Sequence, residues 1–439
     1  MDTLLQYEQK KNAIVQQMKQ ASEIRLEKKT SNLFRSRTGT KTRLDVKSLN
    51  QVISIDRKKM ICVVEGMTTY ETLVNETLKY GVMPVVVPEL KSITIGGAAT
   101  GIGIESSSFK YGLVHETIEE MEILLGNGEV IVCNKNRNKA LFFGFPNSYG
   151  SVGYALKLKI KVTPVKKYVK IEHTKFTDFK SYFAAVQKSA EEKIDFLDGT
   201  IFNEHEMYVT KGTFTDQARS TSNYKYLNIY YRSIQKKKTD YLTTRDYIWR
   251  WDPDWFWCSK HFRMQNLFVR ILLGKFFLKS TTYWKIMFWN RKYQLTEKFG
   301  RKERRESIIQ DVEIPIEHCE QFMQFFTKNI GITPVWMCPL QTLDQKRVYP
   351  LYAMNPKKLY VNFGFWDTVK TTQPEGYYNK LIEKKVEELH GKKSLYSDVY
   401  YSKEKFWQLY NKKAYDQLKR KYDPQRRLKD LYEKVVKKQ

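Results

Sequence analysis

The stretch ITIGGAATGIGIESSSFKYG, residues 93–112, contains five glycines and three consecutive serines in twenty positions. Glycine lets main-chain N–H groups approach an anion closely, and serine and threonine hydroxyls add hydrogen-bond donors with little bulk. The spacing differs from the dinucleotide fingerprint G-x-G-x-x-G, because Ser106 occupies its last position, and no Gly-Lys-Ser/Thr phosphate loop is present. These residues leave two interpretations open, an extended anionic ligand and a tight buried turn between two subdomains.

The composition allows several domains and a strongly basic surface. The chain has 439 residues, 41% of them hydrophobic, and 76 Lys and Arg against 48 Asp and Glu give a formal net charge of +28. A chain of this length supports two or three domains. The positive charge fits nucleic acid, an anionic membrane surface, or an anionic cofactor or substrate, and does not choose among them.

The cysteines and the N-terminal residues bear on the compartment. The five cysteines are far apart and show no CxxC or CxxH spacing, which argues for a reducing compartment and against a zinc site or a disulfide framework. No metal site is predicted. We find neither the apolar run of a signal peptide nor the about 18 apolar residues of a transmembrane helix. We therefore expect a cytoplasmic protein, with residues 1–32 as an amphipathic helical segment.

The residues on either side of the glycine-rich stretch predict an α+β unit that ends near residue 167. Short β-branched runs indicate strands, and Gly-Asn-Gly between two apolar runs indicates a hairpin. Thr68 and Glu71 form a capping box at the start of a helix that Gly81 ends. The predicted strands are 52–55, 60–64, VMPVVV at 82–87, the two arms of the hairpin 119–134, and 153–165.

Two similar halves follow and predict a second unit. The first half comprises strand 168–173, helix 177–191, strand 197–203 and strand 206–212. The same order recurs between residues 307 and 366. Two such halves predict an antiparallel sheet with helices on one face. An insertion at about 214–305, dense in Trp, Tyr, Phe and Lys, separates them.

The C-terminal run YDPQRRLKDLYEKVVKK predicts a helix. Asp423 stands in the N-cap position and Pro424 in the first helical position, which are common places for these residue types. Leu428, Leu431 and Val435 would then share one apolar face of the helix.

The segment MPVVVPELKSITIGGAATGIGIESSSFKYGLVHETIEEMEILLGNGEVI resembles the FAD-binding domain of the vanillyl-alcohol oxidase / p-cresol methylhydroxylase (PCMH-type) superfamily. It is most similar to the delta(24)-sterol reductase-like branch, whose glycine stretch also runs into G-I-E-S-S-S and Lys/Arg-x-Gly. The similarity runs from about Leu33 to the C-terminus. Later segments that match the same branch are LFFGFPNSYGSVGYALKLKIKVTPVKKYV, TTRDYIWRWDPDWFWCS, PVWMCPL and SLYSDVYYSKEKFW.

The resemblance implies a fold class, α+β, and a cofactor. Residues 33–167 would form a PCMH-type FAD-binding domain of two α/β subdomains, completed by the C-terminal segment 396–439. Residues 168–395 would form an antiparallel-sheet cap over the isoalloxazine ring, with the diphosphate of FAD against the glycine-rich stretch. By match to the family's motif, the residues assigned to FAD are Thr94, Gly96, Gly97, Thr100, Gly101, Gly103, Ser106, Ser107, Ser108, Tyr111, Gly112, His115, Ser151, Val152 and Gly153.

The chain departs from the superfamily in two places. Many members carry an R-x-G-G-G-H/S loop, sometimes with a histidine bonded covalently to the flavin, whereas this chain has LFRSRTGTKTRLDV with no histidine. We therefore expect noncovalent FAD. Arg35, Arg37 and Lys41 either supply charge to the phosphates or are ordinary basic surface residues. The chain also lacks the membrane-spanning helix with which sterol reductases of animals and plants begin.

Reduction of a carbon–carbon double bond needs a hydride from the flavin and a proton donor that faces the alkene. The segment SLYSDVYYSKEKFW offers Tyr396, Asp398, Tyr400 and Tyr401. The C-terminal part often lines the flavin in this superfamily, so we select Asp398 and Tyr400 or Tyr401 as candidate catalytic residues. The alternative is that the tyrosines are sheet core and that Asp398 caps the next helix.

Two aromatic segments indicate contact with apolar partners. The segment TRDYIWRWDPDWFWCSKHFRMQ is either a lid over an apolar substrate or a structural salt-bridge network. It holds Arg245, Asp246, Arg250, Asp252, Asp254 and His261. Residues 255–294 interleave aromatics with Lys and Arg, which fits peripheral contact with an anionic membrane. A surface for single-stranded nucleic acid fits less well, because no nucleic-acid fold motif is present, and we expect no such partner.

The leading functional hypothesis is an FAD-dependent oxidoreductase that reduces a C=C bond of a sterol or polyprenoid-like lipid, with NADPH as reductant. The superfamily also contains alcohol oxidases and dehydrogenases, which form the alternative enzyme hypothesis. A basic membrane- or nucleic-acid-binding protein without enzymatic activity is the third hypothesis. The aromatic residues predict an apolar, bulky, lipid-like substrate and leave its identity open.

Overall fold

The computed structural model describes residues 3–20, 24–35, 43–293, 303–344 and 346–438. The strands are β1 Arg25–Glu27, β2 Arg43–Asp45, β3 Val52–Asp56, β4 Ile61–Glu65, β5 Val82–Pro84, β6 Ile118–Leu124, β7 Val130–Asn134, β8 Tyr154–Pro164, β9 Tyr168–Phe176, β10 Phe196–Asn203, β11 Glu206–Thr215, β12 Thr239–Thr243, β13 Arg305–Pro315, β14 Val335–Leu340, β15 Tyr360–Lys370 and β16 Lys392–Lys393. The helices are α1 Thr3–Gln20, α2 Tyr70–Leu78, α3 Ile95–Gly101, α4 Ser108–Tyr111, α5 Lys139–Gly144, α6 Phe179–Ser189, α7 Tyr230–Ile234, α8 Thr244–Ile248, α9 Leu267–Phe277, α10 Ser280–Tyr293, α11 Cys319–Asn329, α12 Tyr377–Glu388, α13 Lys403–Leu409, α14 Lys412–Tyr422 and α15 Leu431–Val435. Short 3₁₀ turns lie at Val114–Thr117, Asp252–Asp254, Cys258–Phe262, Ile316–His318 and Pro350–Tyr352.

The first sheet has the strand order β3-β4-β8-β6-β7, and β5 pairs with the end of β8. β6 and β7 form the predicted hairpin, with Leu124 opposite Val130. Gly128 in the turn has a φ of 86°, which an L side chain rarely adopts, so the Gly-Asn-Gly sequence is needed there. The predicted strand VMPVVV is shorter than expected, because only Val82–Pro84 pairs with β8.

The helix between β4 and β5 begins one residue later than predicted. Thr69 is its N-cap and accepts the N–H of Thr72, so the predicted capping box of Thr68 and Glu71 is wrong. Thr68 is fully buried, and its hydroxyl donates instead to the carbonyl of Gln51 at 3.1 Å. The Thr68 hydroxyl is thus occupied by its hydrogen bond to Gln51, and the neighbouring Thr69 caps the helix.

The second sheet has eight strands among the described residues, in the order β12-β9-β11-β10-β14-β15-β13-β16. Each of its neighbouring pairs is antiparallel, and α6, α11 and α12 pack on one face, as predicted. Strand β13 shows the alternation, since Ile308, Val312 and Ile314 pack with these helices. Asp311 and Glu313 therefore point to the opposite face, toward the first sheet.

Part of the predicted insertion at about 214–305 belongs to the second sheet. Its residues Thr239–Thr243 form β12, which pairs with β9 at the edge of the second sheet, and this strand was not predicted. The residues that follow form α8, two 3₁₀ turns, and the helices α9 and α10. None of the described helices is both long and apolar enough to cross a bilayer.

The N-terminal and C-terminal segments both lie against the first sheet. Tyr7, Ile14 and Met18 of α1 share a buried cluster with residues of β6 and β8 and with Leu428. The Tyr7 hydroxyl donates to Glu122 of β6 at 2.6 Å. Residues Thr3–Gln20 of the N-terminal segment are thus helical, and the buried face of α1 packs on the sheet.

The C-terminal helix does not begin at Asp423, so that prediction is wrong. Asp423 ends α14, and α15 begins after Asp430, whose carboxylate caps it. The Asp423 carboxylate instead accepts from the backbone N–H groups of Arg427 and Leu428, at 3.0 and 3.1 Å. Because the N–H groups of these loop residues and Lys419 occupy the Asp423 carboxylate, it does not cap a helix that begins at Pro424.

Lys419 of α14 holds this arrangement together. Its ammonium group is buried and donates to the carbonyls of Ser151, at 3.0 Å, and Leu428, at 2.7 Å, while it pairs with Asp423. Ser151 belongs to the loop before β8, so a single cation ties the C-terminal segment to the first sheet.

We predict that Lys419→Met destabilises the protein by about 3–5 kcal/mol, because it leaves the Asp423 carboxylate buried without its cation. Lys412 of the same helix also pairs with an aspartate four residues on, Asp416, but both side chains are about half exposed. Lys412→Met should therefore cost less than about 1 kcal/mol. Urea unfolding of the two variants checks this, and equal losses would contradict the buried anchor.

Candidate functional site

A large cavity lies between the first sheet and the inner face of the second sheet. Its empty volume is about 1920 Å³, including the part open to solvent. Its wall comes from residues 24–35, 88–105, 145–155, 255–256 and single residues of the second sheet and the C-terminal segment. Nearly every part of the chain therefore contributes to one site.

The glycine-rich stretch forms one wall of this cavity with its backbone. Thr94 caps α3 and accepts the N–H of Gly97 at 3.2 Å. Gly96 donates to the carbonyl of Gly66 at 2.9 Å, and a Cβ on Gly96 would lie 2.6 Å from that oxygen. Glycine at this position thus serves close packing of two backbones, while the other side of the stretch is left bare toward the cavity.

A polar loop continues this wall. Thr100 accepts the N–H of Gly150 at 3.3 Å, and the Tyr149 hydroxyl donates to the carbonyl of Gly101 at 2.9 Å. Tyr149 has a φ of 48° and Ile102 a φ of 61°, values that non-glycine residues rarely adopt. Such conformations persist only where the surroundings hold them, and they cluster at ligand sites.

Several cations reach the same part of the cavity. Arg35 is buried, lies 5.1 Å from the Tyr149 ring, and donates to the carbonyls of Leu395 at 2.8 Å and Lys434 at 3.2 Å. Burial lowers the pKa of its guanidinium to about 10. The Lys434 ammonium donates to the carbonyl of Gly150 at 2.6 Å. The basic residues that line the cavity are Arg25, Lys28, Arg35, Lys429 and Lys434.

A buried arginine holds both ends of the glycine-rich stretch. Arg250 pairs with Glu89 before the stretch, with Glu105 at its end (3.5 Å), and with Asp198 of β10 (2.7 Å). Desolvation raises the pKa of Glu89 well above its usual value and also raises that of Glu105, against the attraction of Arg250. One cation therefore faces three carboxyl groups, which favours a protonated carboxyl beside the cavity.

Aromatic residues form the opposite part of the wall. Phe256 lies 4.4 Å from Trp366 and 5.5 Å from Trp336, measured between ring centroids. The indole N–H of Trp366 donates to the Tyr396 hydroxyl at 2.9 Å. Trp255 adds a further ring to the lining. This surface suits a flat, apolar ring system.

One carboxyl group lies among these rings. Asp311 of β13 is half-buried, lines the cavity, and accepts from the side-chain amide of Asn362 at 2.8 Å. Desolvation raises its pKa to about 6, although hydrogen bonds from Asn362 and Tyr396 oppose this. Gly364 lies directly opposite Asp311 on β15, and a Cβ there would come within 2.8 Å of the carboxyl oxygen. The missing side chain makes room for the carboxyl group.

Comparisons with known proteins agree with this geometry. Residues 8–134 match the family described as an FAD binding domain. The delta(24)-sterol reductase of Homo sapiens is 27% identical over 405 residues, which cover 89% of this chain and 77% of that protein. The delta(24)-sterol reductase homolog of Caenorhabditis elegans is 24% identical over 430 residues, covering 90% and 79%. Cytokinin dehydrogenase 1 of Arabidopsis thaliana is 31% identical over 141 residues, covering 31% and 24%.

Residues 8–134 thus carry an FAD binding domain, and the chain is similar along most of its length to delta(24)-sterol reductases. FAD is its cofactor, and the cavity fits that molecule. A bare glycine backbone, two threonine hydroxyls and five basic side chains supply donors and positive charge suited to a diphosphate. The rings of Trp366, Trp336 and Phe256 supply a flat apolar wall suited to a flavin. Among the described residues no three potential metal ligands come together.

Seven of the residues assigned to FAD line the cavity. They are Thr94, Gly96, Gly97, Thr100, Gly101, Gly103 and Gly153. The first six form one continuous wall, and Gly153 lies at the start of β8 beside it. A contact of these residues with FAD remains a prediction.

The three serines lie behind this wall and contact the protein. The Ser106 carbonyl accepts the N–H of Leu197 of β10 at 2.7 Å, which joins the stretch to the second sheet. The Ser107 hydroxyl donates to the carbonyl of Val85 at 2.6 Å, and that of Ser108 accepts the N–H of Glu105 at 3.1 Å. All three are buried and do not line the cavity.

The other residues assigned to FAD also lie outside the lining of the cavity. His115 is buried with its ring 4.3 Å from that of Tyr349, and burial lowers its pKa to about 3, so it is neutral at physiological pH. Gly112 has a φ of 72°, and a Cβ there would meet the Glu116 carboxylate. The remaining members of this group are Tyr111, Ser151 and Val152.

The candidate catalytic residues of the C-terminal segment lie outside the lining of the cavity. Asp398 pairs with Lys438 at 2.9 Å, and the backbone N–H of Tyr400 donates to Glu383 of α12 at 3.1 Å. Tyr401 is buried in the core, 6.4 Å from the Tyr410 ring. None of the three lines the cavity, whereas Tyr396 of the same segment does.

Most of the charged residues singled out in the aromatic segment form ion pairs, and those of Arg250 and of Asp254 with Arg270 are buried. Besides Arg250, Asp252 approaches Lys91 at 3.7 Å, and Asp254 pairs with Arg270 at 2.6 Å. Of the rest, Asp246 pairs with Lys225, His261 approaches Asp367 at 3.3 Å, and Arg245 lies in α8. This geometry matches the salt-bridge network, one of the two interpretations. Of the three basic residues singled out in the segment LFRSRTGTKTRLDV, Arg35 lines the cavity, while Arg37 and Lys41 lie outside the described residues.

Sequence reasoning missed Asp311, Trp336, Trp366 and Lys434. Each comes from a different element, and only the pairing of β14, β15 and β13 brings the first three together. The available signal was the alternation in β13, where Asp311 and Glu313 share one face. Without the sheet order, that face is indistinguishable from a solvated one.

Proposed function

We propose that this protein is an FAD-dependent oxidoreductase that reduces a carbon–carbon double bond of a sterol, with NADPH as the reductant. One observation carries the proposal: a single cavity joins an FAD-type glycine wall and its cations to an aromatic wall of the second sheet. The similarity to delta(24)-sterol reductases over most of the chain supports the substrate class.

We propose the same domain boundaries that the sequence predicts. Residues 33–167, with the C-terminal segment 396–439, form the FAD domain of two subdomains, and residues 1–32 cover its sheet. Residues 168–395 form the cap. Support comes from the packing of α1 and of Lys419 against the first sheet and from the inner face of the second sheet, which lines the cavity.

FAD is held by noncovalent contacts in this proposal. The backbone of residues 94–103, with Arg35 and Lys434, holds the diphosphate, and Trp366, Trp336 and Phe256 face the flavin or the substrate. No histidine or cysteine is found among the described residues that line the cavity. These are the side chains that a covalent histidyl or cysteinyl link would need.

The chemistry divides between cofactor and protein. Reduced FAD supplies a hydride, which an isolated alkene accepts only if a proton arrives at its other carbon. The residues of this chain bind the apolar substrate among aromatic rings, exclude water, and hold an acidic proton at the cavity wall. An alcohol oxidase would instead need a base to accept the hydroxyl proton. Burial raises the pKa values of Glu89, Glu105 and Asp311, so these carboxyl groups hold a proton more readily than ordinary carboxyl groups do.

A peripheral contact with an anionic membrane would give this substrate a route to the site. Large apolar side chains are exposed along α9 and α10, where Leu272 is 87%, Phe268 80% and Phe276 73% exposed. Such a patch is unusual on a soluble surface. The sequence from Trp255 to Thr296 contains lysines and arginines and no Asp or Glu, so its charge complements anionic lipid.

The apolar helices adjoin the aromatic part of the cavity. Tyr283 of α10 is fully buried in a cluster with Phe34 and Trp255, and Trp284 lies 4.7 Å from Phe34. Phe34 and Trp255 line the cavity. A lipid leaving the bilayer at these helices would therefore pass directly to the aromatic wall.

We predict that the purified protein is yellow and that anaerobic NADPH bleaches its flavin absorbance. Adding a delta(24)-unsaturated sterol in cyclodextrin should restore the oxidised spectrum in the absence of oxygen, because the alkene accepts the hydride. Stopped-flow absorbance checks both half-reactions, with the saturated sterol as control. A colourless protein that does not take up FAD, or bleaching by an alcohol and not by NADPH, would contradict the proposal.

We predict that the protein binds vesicles of phosphatidylcholine with phosphatidylglycerol and that added salt weakens the binding. Leu272→Glu with Phe276→Glu should reduce binding at least tenfold, because two charges then face the acyl chains. Tyr80→Glu with Val348→Glu is the matched control, since these side chains are also exposed, at 52% and 51%, but lie outside α9 and α10. Vesicle flotation measures the bound fraction.

The membrane contact fails if the two double variants bind vesicles equally well. It also fails if the wild type binds a single-stranded oligonucleotide but not the vesicles at the same ionic strength.

A further inference from the structure

We infer that Asp311 is the acid that protonates the alkene carbon, and that Tyr396 positions its carboxyl group. The inference rests on the proposed function. It differs from the sequence-based choice of Asp398, Tyr400 and Tyr401, none of which lines the cavity.

The sheet register places Asp311 at the aromatic wall. Asp311 lies opposite Gly364, and Gly364 lies opposite Trp336, so the three positions form one row across β13, β15 and β14. The absent side chain at Gly364 leaves a gap in this row. The Trp366 ring and the Asp311 carboxyl group fill this gap. Two atoms of the Trp366 ring lie 2.4 and 2.8 Å from the position that a Cβ at residue 364 would take. The carboxyl group thus stands beside a flat apolar surface.

Two neutral side chains orient the carboxyl group. The Asn362 amide donates to one of its oxygens at 2.8 Å. The Tyr396 hydroxyl lies close enough to the carboxyl group to lower its pKa, and it is itself fixed by the Trp366 indole N–H at 2.9 Å. The backbone carbonyl of Tyr396 accepts from Phe34, so the tyrosine is held from both ends. Every member of this chain of contacts except Asn362 lines the cavity.

The surroundings bring the pKa of Asp311 closer to neutral pH. Burial raises its pKa to about 6, and the titratable groups that face it are Tyr396, Tyr149 and Glu313. None of these groups is a cation that would stabilise the Asp311 carboxylate and lower its pKa. A group with such a pKa is protonated in a useful fraction of molecules and is acidic enough to give up the proton.

The step balances in protons and electrons. With reduced FAD bound, a hydride would be added to one alkene carbon, while the Asp311 carboxyl O–H bond would break and its proton would form a C–H bond at the other carbon. The alkene becomes a saturated CH–CH unit, the flavin is oxidised, and Asp311 is left as a carboxylate. Water at the open part of the cavity then returns a proton to the carboxylate.

The test compares the flavin reoxidation rate of FAD-loaded variants by anaerobic stopped flow with a delta(24)-unsaturated sterol. Asp311→Asn keeps the shape and the Asn362 contact but has no acidic proton, and it should slow reoxidation by about 10²–10⁴-fold. Bleaching by NADPH should be unchanged. The wild-type reoxidation rate should fall as pH rises above about 6, where Asp311 loses its proton, and the residual rate of the variant should not depend on that ionisation.

Two further variants separate catalysis from structure. Glu313→Gln is the matched control, because Glu313 is buried on the same face of β13, has a raised pKa of about 8, and does not line the cavity. It should reoxidise at close to the wild-type rate. Tyr396→Phe removes a hydrogen bond that favours the carboxylate, so the midpoint of the pH profile should move to higher pH.

Infrared spectroscopy of the oxidised holoprotein gives a readout that does not depend on turnover. A protonated-carboxyl band that titrates near pH 6 should be present in the wild type and absent from Asp311→Asn. The inference is overturned if the band is absent from the wild type, if Asp311→Asn reoxidises normally, if Glu313→Gln loses as much as Asp311→Asn, or if only Asp398→Asn is slow. If NADPH bleaches the wild type but the sterol never reoxidises it, the proposed substrate is wrong, and the infrared band alone decides the role of Asp311.

Discussion

The site depends on one buried arginine. Arg250 pairs with Glu89 and Glu105, which bracket the glycine-rich stretch, and with Asp198 of the second sheet. It thereby fixes the glycine wall at a set distance from the sheet that faces it. Three carboxyl groups around one cation are costly to bury unless protons are shared. The arrangement places a polar backbone on one side of the cavity and aromatic rings on the other.

The inner face of the second sheet explains how an apolar cavity acquires acid chemistry. Strands alternate, so the same β13 that packs Ile308 and Val312 under helices presents Asp311 and Glu313 to the interior. Burial then raises the pKa of both carboxyl groups, and only Asp311 reaches the cavity. Helix α10 packs through Tyr283 against Phe34 and Trp255, which line the same cavity. The proposed lipid route and the proposed acid would therefore lie beside the same cofactor wall.

Much of the fold could be predicted from the sequence, because periodicity and turn chemistry are local. The hairpin around Gly126-Asn127-Gly128 and the two strand-helix-strand-strand halves needed only a few neighbouring residues. Asp423 misled the helix prediction, since its carboxylate is used by Lys419, and no local pattern reveals that partner. The glycine wall could be predicted from its motif, but Asp311 and Trp366 could not. They meet only through the register of β13 and β15, which the sequence does not state.

The most direct test of the account is hydrogen exchange measured by mass spectrometry on the protein with and without FAD. A ligand slows exchange where it covers or stabilises backbone amides. The account predicts slower exchange in residues 93–105, 24–35 and 429–434 on FAD binding, with little change in α6 and α11 on the far face of the second sheet. Unchanged exchange across the glycine-rich stretch at saturating FAD would contradict it.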